Sequence, residues 1–183
     1  MALDLGIAKI MKDLSEKEQA LDIVLAENRK TVRSCSNAIK CMHAYDLKKA
    51  KEHLAEADET LKGLKKYEEQ FPGQLAHIYQ EYAEAQIVLS AIELKKIPSY
   101  TKLKVPEVPY LNGLLDAIGE LKREMYESLR RGNKHEAEFY FKMMEEIFDE
   151  LLPLRFSNSV LPEFRKKQDN ARRQIEQARG ELL

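Results

Sequence analysis

The chain has no tryptophan, two cysteines, and only seven glycines and six prolines in 183 residues. It has no apolar run of about 18 residues, so nothing is expected to cross a membrane as a helix. It also lacks net charge: 30 basic residues oppose 31 acidic ones, leaving −1. The molecule as a whole is therefore not a basic nucleic-acid binder, and any such surface is a local patch or an inner wall. Met1-Ala-Leu-Asp-Leu-Gly6 lacks the basic and apolar regions of a signal peptide. Cys35 and Cys41 lie six apart on one predicted helix. That spacing separates their Cα atoms by about 9 Å, too far for a disulfide. They form no zinc knuckle, and both are expected to be reduced core or interface residues of a cytoplasmic protein. There is no Gly-rich phosphate loop, no Gly-x-Ser-x-Gly elbow and no His-Glu-x-x-His zinc motif.

What is present is helical pattern, and no convincing strand. Hydrophobic residues make up 44% and charged residues 33%. That charged share exceeds the usual quarter or so and decorates long helix surfaces. The periodicity predicts an all-α, single-domain antiparallel bundle of six to seven helices over residues 1–183, with no linker to divide it. The first helix runs from about Leu3 to Ala44, with Ile7, Ile10, Leu14, Leu21, Val24, Leu25, Val32, Cys35, Ile39 and Met42 as its apolar positions. Ser15-Glu-Lys-Glu18 has the form of a capping box and predicts a break near Ser15. Unbroken, the helix is about 60 Å long, against roughly 40 Å for a compact chain of this size. It must overhang the domain or pack on a partner chain, and a partner is the better reading.

Asp46 caps a second helix to about Glu69, and Pro72-Gly73 breaks the chain before a third, Gly73 to Lys96. Three prolines between Ile97 and Pro109 make a loop there, the longest in the chain. A fourth helix runs from Pro109 to Arg131, then a tight Arg131-Gly132-Asn133 turn leads to a fifth, Lys134 to Leu152. Phe156-Ser-Asn-Ser-Val160 forms a second loop. The last helix, Pro162 to Gly180, is very basic.

Two stretches carry acids among residues that favour burial. Glu81 and Glu84 are three apart in the third helix, and Asp116 and Glu120 are four apart in the fourth, so each pair shares a helix face. Buried carboxylates are costly without a positive partner, which is either a basic side chain or a metal ion. Four carboxylates on two helices would make an all-oxygen site for Mg²⁺ or Mn²⁺. Spacing alone favours ordinary salt bridging, because such pairs are common on helices. A ferritin-type di-iron site needs Glu-x-x-His, and no Glu stands three residues before His43, His53, His77 or His135. Arg29, Arg33, Asn37 and Lys40 form a polar stripe on the first helix, and Lys48, Lys49 and Lys51 open the second. Any of these can meet phosphates, although most helix-borne bases are simply solvated. His77 stands near the acids, where a structural role is the commoner one.

Glu81-Tyr-Ala-Glu84-Ala85 resembles a Glu-Tyr-Val-Glu-Ala segment of translin-associated factor X. Tyr110-Leu-Asn-Gly-Leu-Leu-Asp116-Ala-Ile-Gly-Glu120-Leu121 is similar to its Tyr-Leu-Leu-Gly-Val-Ala-Asp-Leu-Thr-Gly-Glu-Leu segment, with the acids in register. Ser128-Leu-Arg-Arg-Gly-Asn133 resembles the family's Asn-Ser-Val-Gly-Asn-Gly turn, and Lys48-Lys-Ala-Lys-Glu52-His53 resembles a Lys-Ala-Arg-Glu-His segment of translin. The likeness extends from about Arg29 to the end, loosely outside the acid motifs. It reverses the weighting of the acids.

The resemblance implies a seven-helix translin-type bundle assembling into a hollow octamer with RNA inside. It implies a Mg²⁺-dependent endoribonuclease site (Mn²⁺ as an alternative ion) at Glu81, Glu84, Asp116 and Glu120. Translin proper lacks these acids, so the chain resembles the catalytic partner, as a stand-alone archaeal-type homo-oligomer. Arg33, Lys40 and Lys49 are the expected contacts to the RNA backbone, and with no base-reading motif binding is expected to be largely sequence-independent. The Ile97–Pro109 loop is shorter than the family's long insertion, and the larger proteins' nuclear-targeting features are not visible. Two other readings stand beside this one. One is a non-catalytic shell for single-stranded RNA or DNA. The other is a helical scaffold whose acids pair with Lys and Arg.

Overall fold

A computed structural model describes residues 5–182, and among them every regular element is helical. The elements are α1 (Ile7–His43), α2 (Leu47–Leu64), α3 (Pro72–Leu94), the single turn α4 (Tyr100–Leu103), α5 (Glu107–Arg130), α6 (Lys134–Leu151) and α7 (Phe164–Leu182). A 3₁₀ turn, Lys65–Tyr67, follows α2, which therefore ends five residues before the expected Glu69. The expected start of α1 at Leu3 lies outside the described residues.

Local chemistry explains most boundaries. The Asp46 side chain accepts from the backbone N–H of Lys49 and caps α2. Asn133 caps α6 by accepting from the Glu136 N–H, directly after Gly132 turns the chain at φ 75°. Pro72 occupies the first turn of α3, where its missing N–H costs nothing. The proline-rich loop is not wholly irregular. Ser99 caps α4 by accepting from the Lys102 N–H, and α5 begins at Glu107, two residues before the expected Pro109.

α1 departs from expectation in one respect. It does not break at Ser15. Thirty-seven residues continue as one helix, about 55 Å long. The flanking Glu, Lys, Ala and Leu are good helix formers, and an isolated mid-helix serine costs too little to stop them. Ile7, Ile10 and Leu14, apolar positions of the expected stripe, are at least half exposed, as are Leu5 and Met11. Burial begins only at Val24, so the first four turns of α1 project beyond the core.

From Val24 onward α1 joins the other helices in burying one continuous core. α1 packs on α2 and α3, α3 on α5, and α5 on α6 and α7. Helices joined by short turns run antiparallel. α1 and α3 run parallel, with Asn28 donating to the Gln74 carbonyl, and so do α5 and α7, where Asp116 meets Lys167 and Lys122 meets Gln177. The approach of α3 to α5 is set by Gly113. A Cβ there would lie 3.0 Å from the Ala83 Cβ and the Gln80 carbonyl oxygen, and 3.1 Å from the Glu84 N. A glycine at the crossing therefore lets the backbones meet where the acids are carried.

Candidate active site where four helices meet

Close approach at Gly113 puts the acids of α3 and α5 opposite one another. Glu81 and Glu84 come from α3, and Asp116 and Glu120 from α5. All four are half-buried, so one side of the group faces solvent. Their charges interact. Glu84 is pushed up to about 8, first by burial and then by the charges of Asp116, Glu81 and Glu120, which Lys167 partly offsets. Glu81 is also raised, mainly by burial, with His77 opposing and Asp116 adding. The field reaches α1, where burial, then Glu81 and Glu84, push the Cys35 thiol up to about 12.

Three side chains outside the expected set complete the site. Lys167 on α7 places its Nζ 2.6 and 2.7 Å from the two Asp116 carboxylate oxygens. Gln80 on α3 donates to the same carboxylate at 2.8 Å. His43, at the end of α1, donates through Nε2 to Glu120 at 2.5 Å and through Nδ1 to Glu124. The Glu124 carboxylate is fully buried and also accepts from the Tyr45 hydroxyl at 3.3 Å. Burial disfavours the charged imidazole, but the two glutamates outweigh it and raise His43 to about 9. The same bond, opposed by burial, lowers Glu120. One signal for Glu124 was available: Asp116, Glu120 and Glu124 form a stripe at four-residue spacing.

The expected phosphate contacts stand differently. Arg33 and Lys40 are exposed, and neither makes an ion pair among the described residues. Lys40 is three residues before His43, hence on the same side of α1. Lys49 is exposed and paired with Asp46 at 2.9 Å beside its helix cap. His77 lies 3.9 Å from Glu81 and is half exposed. Cys35 and Cys41 are both free thiols.

Among the described residues, no three His, Cys, Asp or Glu side chains are placed to hold a metal ion as they stand. Asp116 is turned toward Lys167, and Glu120 toward His43. The donor chemistry fits a hard divalent cation all the same. Four carboxylates face one another, and Glu84 has no hydrogen-bond or ion-pair partner among the described residues.

The fold and the site define a class: a seven-helix bundle whose central helices hold an acid cluster. The chain belongs to the Translin family, whose profile matches residues 6–178. It is 33% identical over 174 residues to the uncharacterized protein MJ0175 of Methanocaldococcus jannaschii, covering 93% of this chain and 78% of that one. It is similar to AfC3PO in complex with duplex RNA, with a TM-score of 0.89, 28% identity, and 97% and 95% of the two chains covered. It is likewise similar to a crystal structure of AfC3PO at TM-score 0.88, with the same identity and coverage. Apo-NeC3PO has the same fold at TM-score 0.88, with 23% identity over all of this chain and 98% of its own. Among the described residues no helix is long and apolar enough to cross a membrane.

Proposed function

We propose that this protein is a metal-dependent endoribonuclease that binds RNA within a homo-oligomeric shell and hydrolyses its phosphodiester bonds at the acid cluster. The observation that carries this reading is the meeting of four carboxylates across α3 and α5, with Glu84 held up to about 8 and lacking a partner among the described residues. Such a group is unfavourable without a cation, and perturbed acids in a cleft mark functional sites. Glu81, Glu84, Asp116 and Glu120 would hold Mg²⁺ or Mn²⁺. Once bound, the cation would acidify a water and offset charge growing on the phosphate. The protein's own part is placement: Gly113 sets the distance between the two acid-bearing helices, and His43 fixes Glu120.

RNA as the ligand is supported by family membership and by the 28% identical AfC3PO, whose structure is described with duplex RNA. Assembly is supported by the apolar stripe on the projecting end of α1, which a second copy would cover. A shell with eight copies, and a cytoplasmic location, are further parts of this reading. Arg33 and Lys40, exposed and free of ion pairs among the described residues, remain our choice for backbone contacts; Lys49 joins them only by leaving Asp46.

A second reading, a shell that binds single-stranded RNA or DNA and does not cut, is favoured by one observation. Asp116 and Glu120 already have basic partners, Lys167 and His43. The test is cleavage of labelled single-stranded and duplex RNA by the pure protein in Mg²⁺ or in EDTA, with Glu81→Ala/Glu84→Ala alongside. Cleavage that requires both the metal and the glutamates is expected. RNA binding by both proteins with cutting by neither would select the second reading.

A further inference from the structure

α7 carries Arg165, Lys166, Lys167, Arg172, Arg173 and Arg179, and five of these six are exposed. Lys167 is the exception. It turns into the acid cluster, where its side chain is 22% and that of Asp116 25% accessible. Its ammonium spans both oxygens of Asp116, while Gln80 donates to one of them. Asp116 is thus engaged on the oxygens that a divalent cation would take. A Mg²⁺–oxygen distance is about 2.0–2.1 Å, and a cation so placed cannot share that position with an ammonium.

We propose that Lys167 is a phosphate-binding residue of the site that rests on Asp116 until a divalent cation displaces it. This rests on the nuclease reading above. Three features support it beyond an ordinary ion pair. Lys167 is the only basic side chain on α7 aimed at the acids. Its charge offsets those of Glu81 and Glu84 as well as facing Asp116 directly. Lysine is also a point charge on a flexible four-carbon stem, so it can leave one oxygen pair and reach another a few Å away without moving α7. Once released, the ammonium stands beside the cation with no carboxylate of its own. A phosphodiester entering the site supplies the oxygens it then lacks.

The two roles have opposite signatures. Lys167→Gln removes a competing positive charge, so Mn²⁺ binds the metal-stripped full-length protein more tightly. We expect about tenfold, the size of one charge removed at close range in a partly screened site. The same variant cleaves RNA with a raised KM and a lowered rate at saturating metal. Mn²⁺ binding is read by electron paramagnetic resonance of the free ion, and Asp116→Asn identifies the cluster's share of it. Lys167→Arg keeps the charge and holds Mn²⁺ affinity near that of the wild type. Far-ultraviolet circular dichroism and thermal melts show that the variants fold. Mn²⁺ affinity unchanged or weakened in a folded Lys167→Gln protein overturns the inference, as does full retention of cleavage at saturating metal. Failure of the wild type and the variant alike to bind Mn²⁺ would remove the metal reading and this inference together, so the two failures are distinguishable.

Discussion

Glu124 holds His43 from the side opposite Glu120, so the imidazole is clamped between two carboxylates on successive turns of α5. One of the two is fully buried and the other borders the solvent-facing acid cluster. The end of α1 is thereby tied to the centre of α5. His43 is raised from 6.5 to about 9 in the folded chain. A raised folded value means that the charged pair stabilises fully below about pH 6.5, and that this contribution is lost as pH rises through about 9. Urea unfolding from pH 6 to 9.5 should show stability declining across that window in the wild type. His43→Gln should be less stable than the wild type at pH 6, and the difference between the two should shrink as pH rises through about 9, on top of the decline that Glu84 gives both proteins. A wild-type stability that does not change between pH 6.5 and 9 would contradict the clamp.

Glu84 makes stability fall in the same direction with pH, but because its charged form is penalised in the fold rather than held by a partner. Burial and three neighbouring acids hold its folded value near 8, above the usual 4.5. Its ionisation is therefore easier in the unfolded chain, and stability is lost as pH rises from 4.5 through 8. Glu84→Gln should raise the Tm measured in EDTA at pH 8.5 by about 2–4 °C, on the order of 1 kcal/mol for a chain of this length. The same substitution should abolish metal-dependent cleavage. A lowered Tm would mean that Glu84 has a stabilising partner that the structure lacks.

Gly113 is a packing position with a functional reach. Gly113→Ala puts a methyl group 3.0 Å from the Ala83 Cβ and the Gln80 carbonyl, and backbone cannot yield as a side-chain tip would. The expected cost is about 1–3 kcal/mol, read as a fall in Tm. Cleavage should also fall, although no acid has been altered, because α3 and α5 are pushed apart. Normal stability with normal activity would show that the helices slide freely at this crossing.

The projecting end of α1 makes the assembly testable. Ile7, Ile10, Met11 and Leu14 recur at helical spacing and are all exposed. The double variant Ile10→Asp/Met11→Glu should reduce the mass measured by light scattering, while the helical circular dichroism signal is kept. An unchanged mass would place the subunit contacts elsewhere.

The parts of the fold legible in the sequence were those set by neighbours in the chain. Asp46 and Asn133 announce α2 and α6 because a cap acts within three residues. Gly132 and Pro72 announce turns for equally local reasons. Ser15 misled because a capping box and a helix-tolerated Ser-x-x-Glu share one pattern. That α1 overhangs was legible in its length, but spacing records that a stripe exists and not where along it burial begins. The candidate site divides the same way. The four acids declare themselves in two short segments. His43 meets Glu120 across 77 positions and Lys167 meets Asp116 across 51, so only the packing of α1 and α7 on α5 reveals them. Once His43 had failed the Glu-x-x-His pattern, nothing local remained to mark it.

The long α1 carries a kinetic consequence. Ile7 to Gln19 are exposed among the described residues, and a solvated stretch of helix is marginal by itself. Their backbone amides should therefore exchange with deuterium quickly in dilute protein and become slow as concentration rises and copies associate. Protection of Ile7 through about Ala20 would then report assembly, while amides from Val24 onward, anchored in the core, would exchange at the same rate throughout.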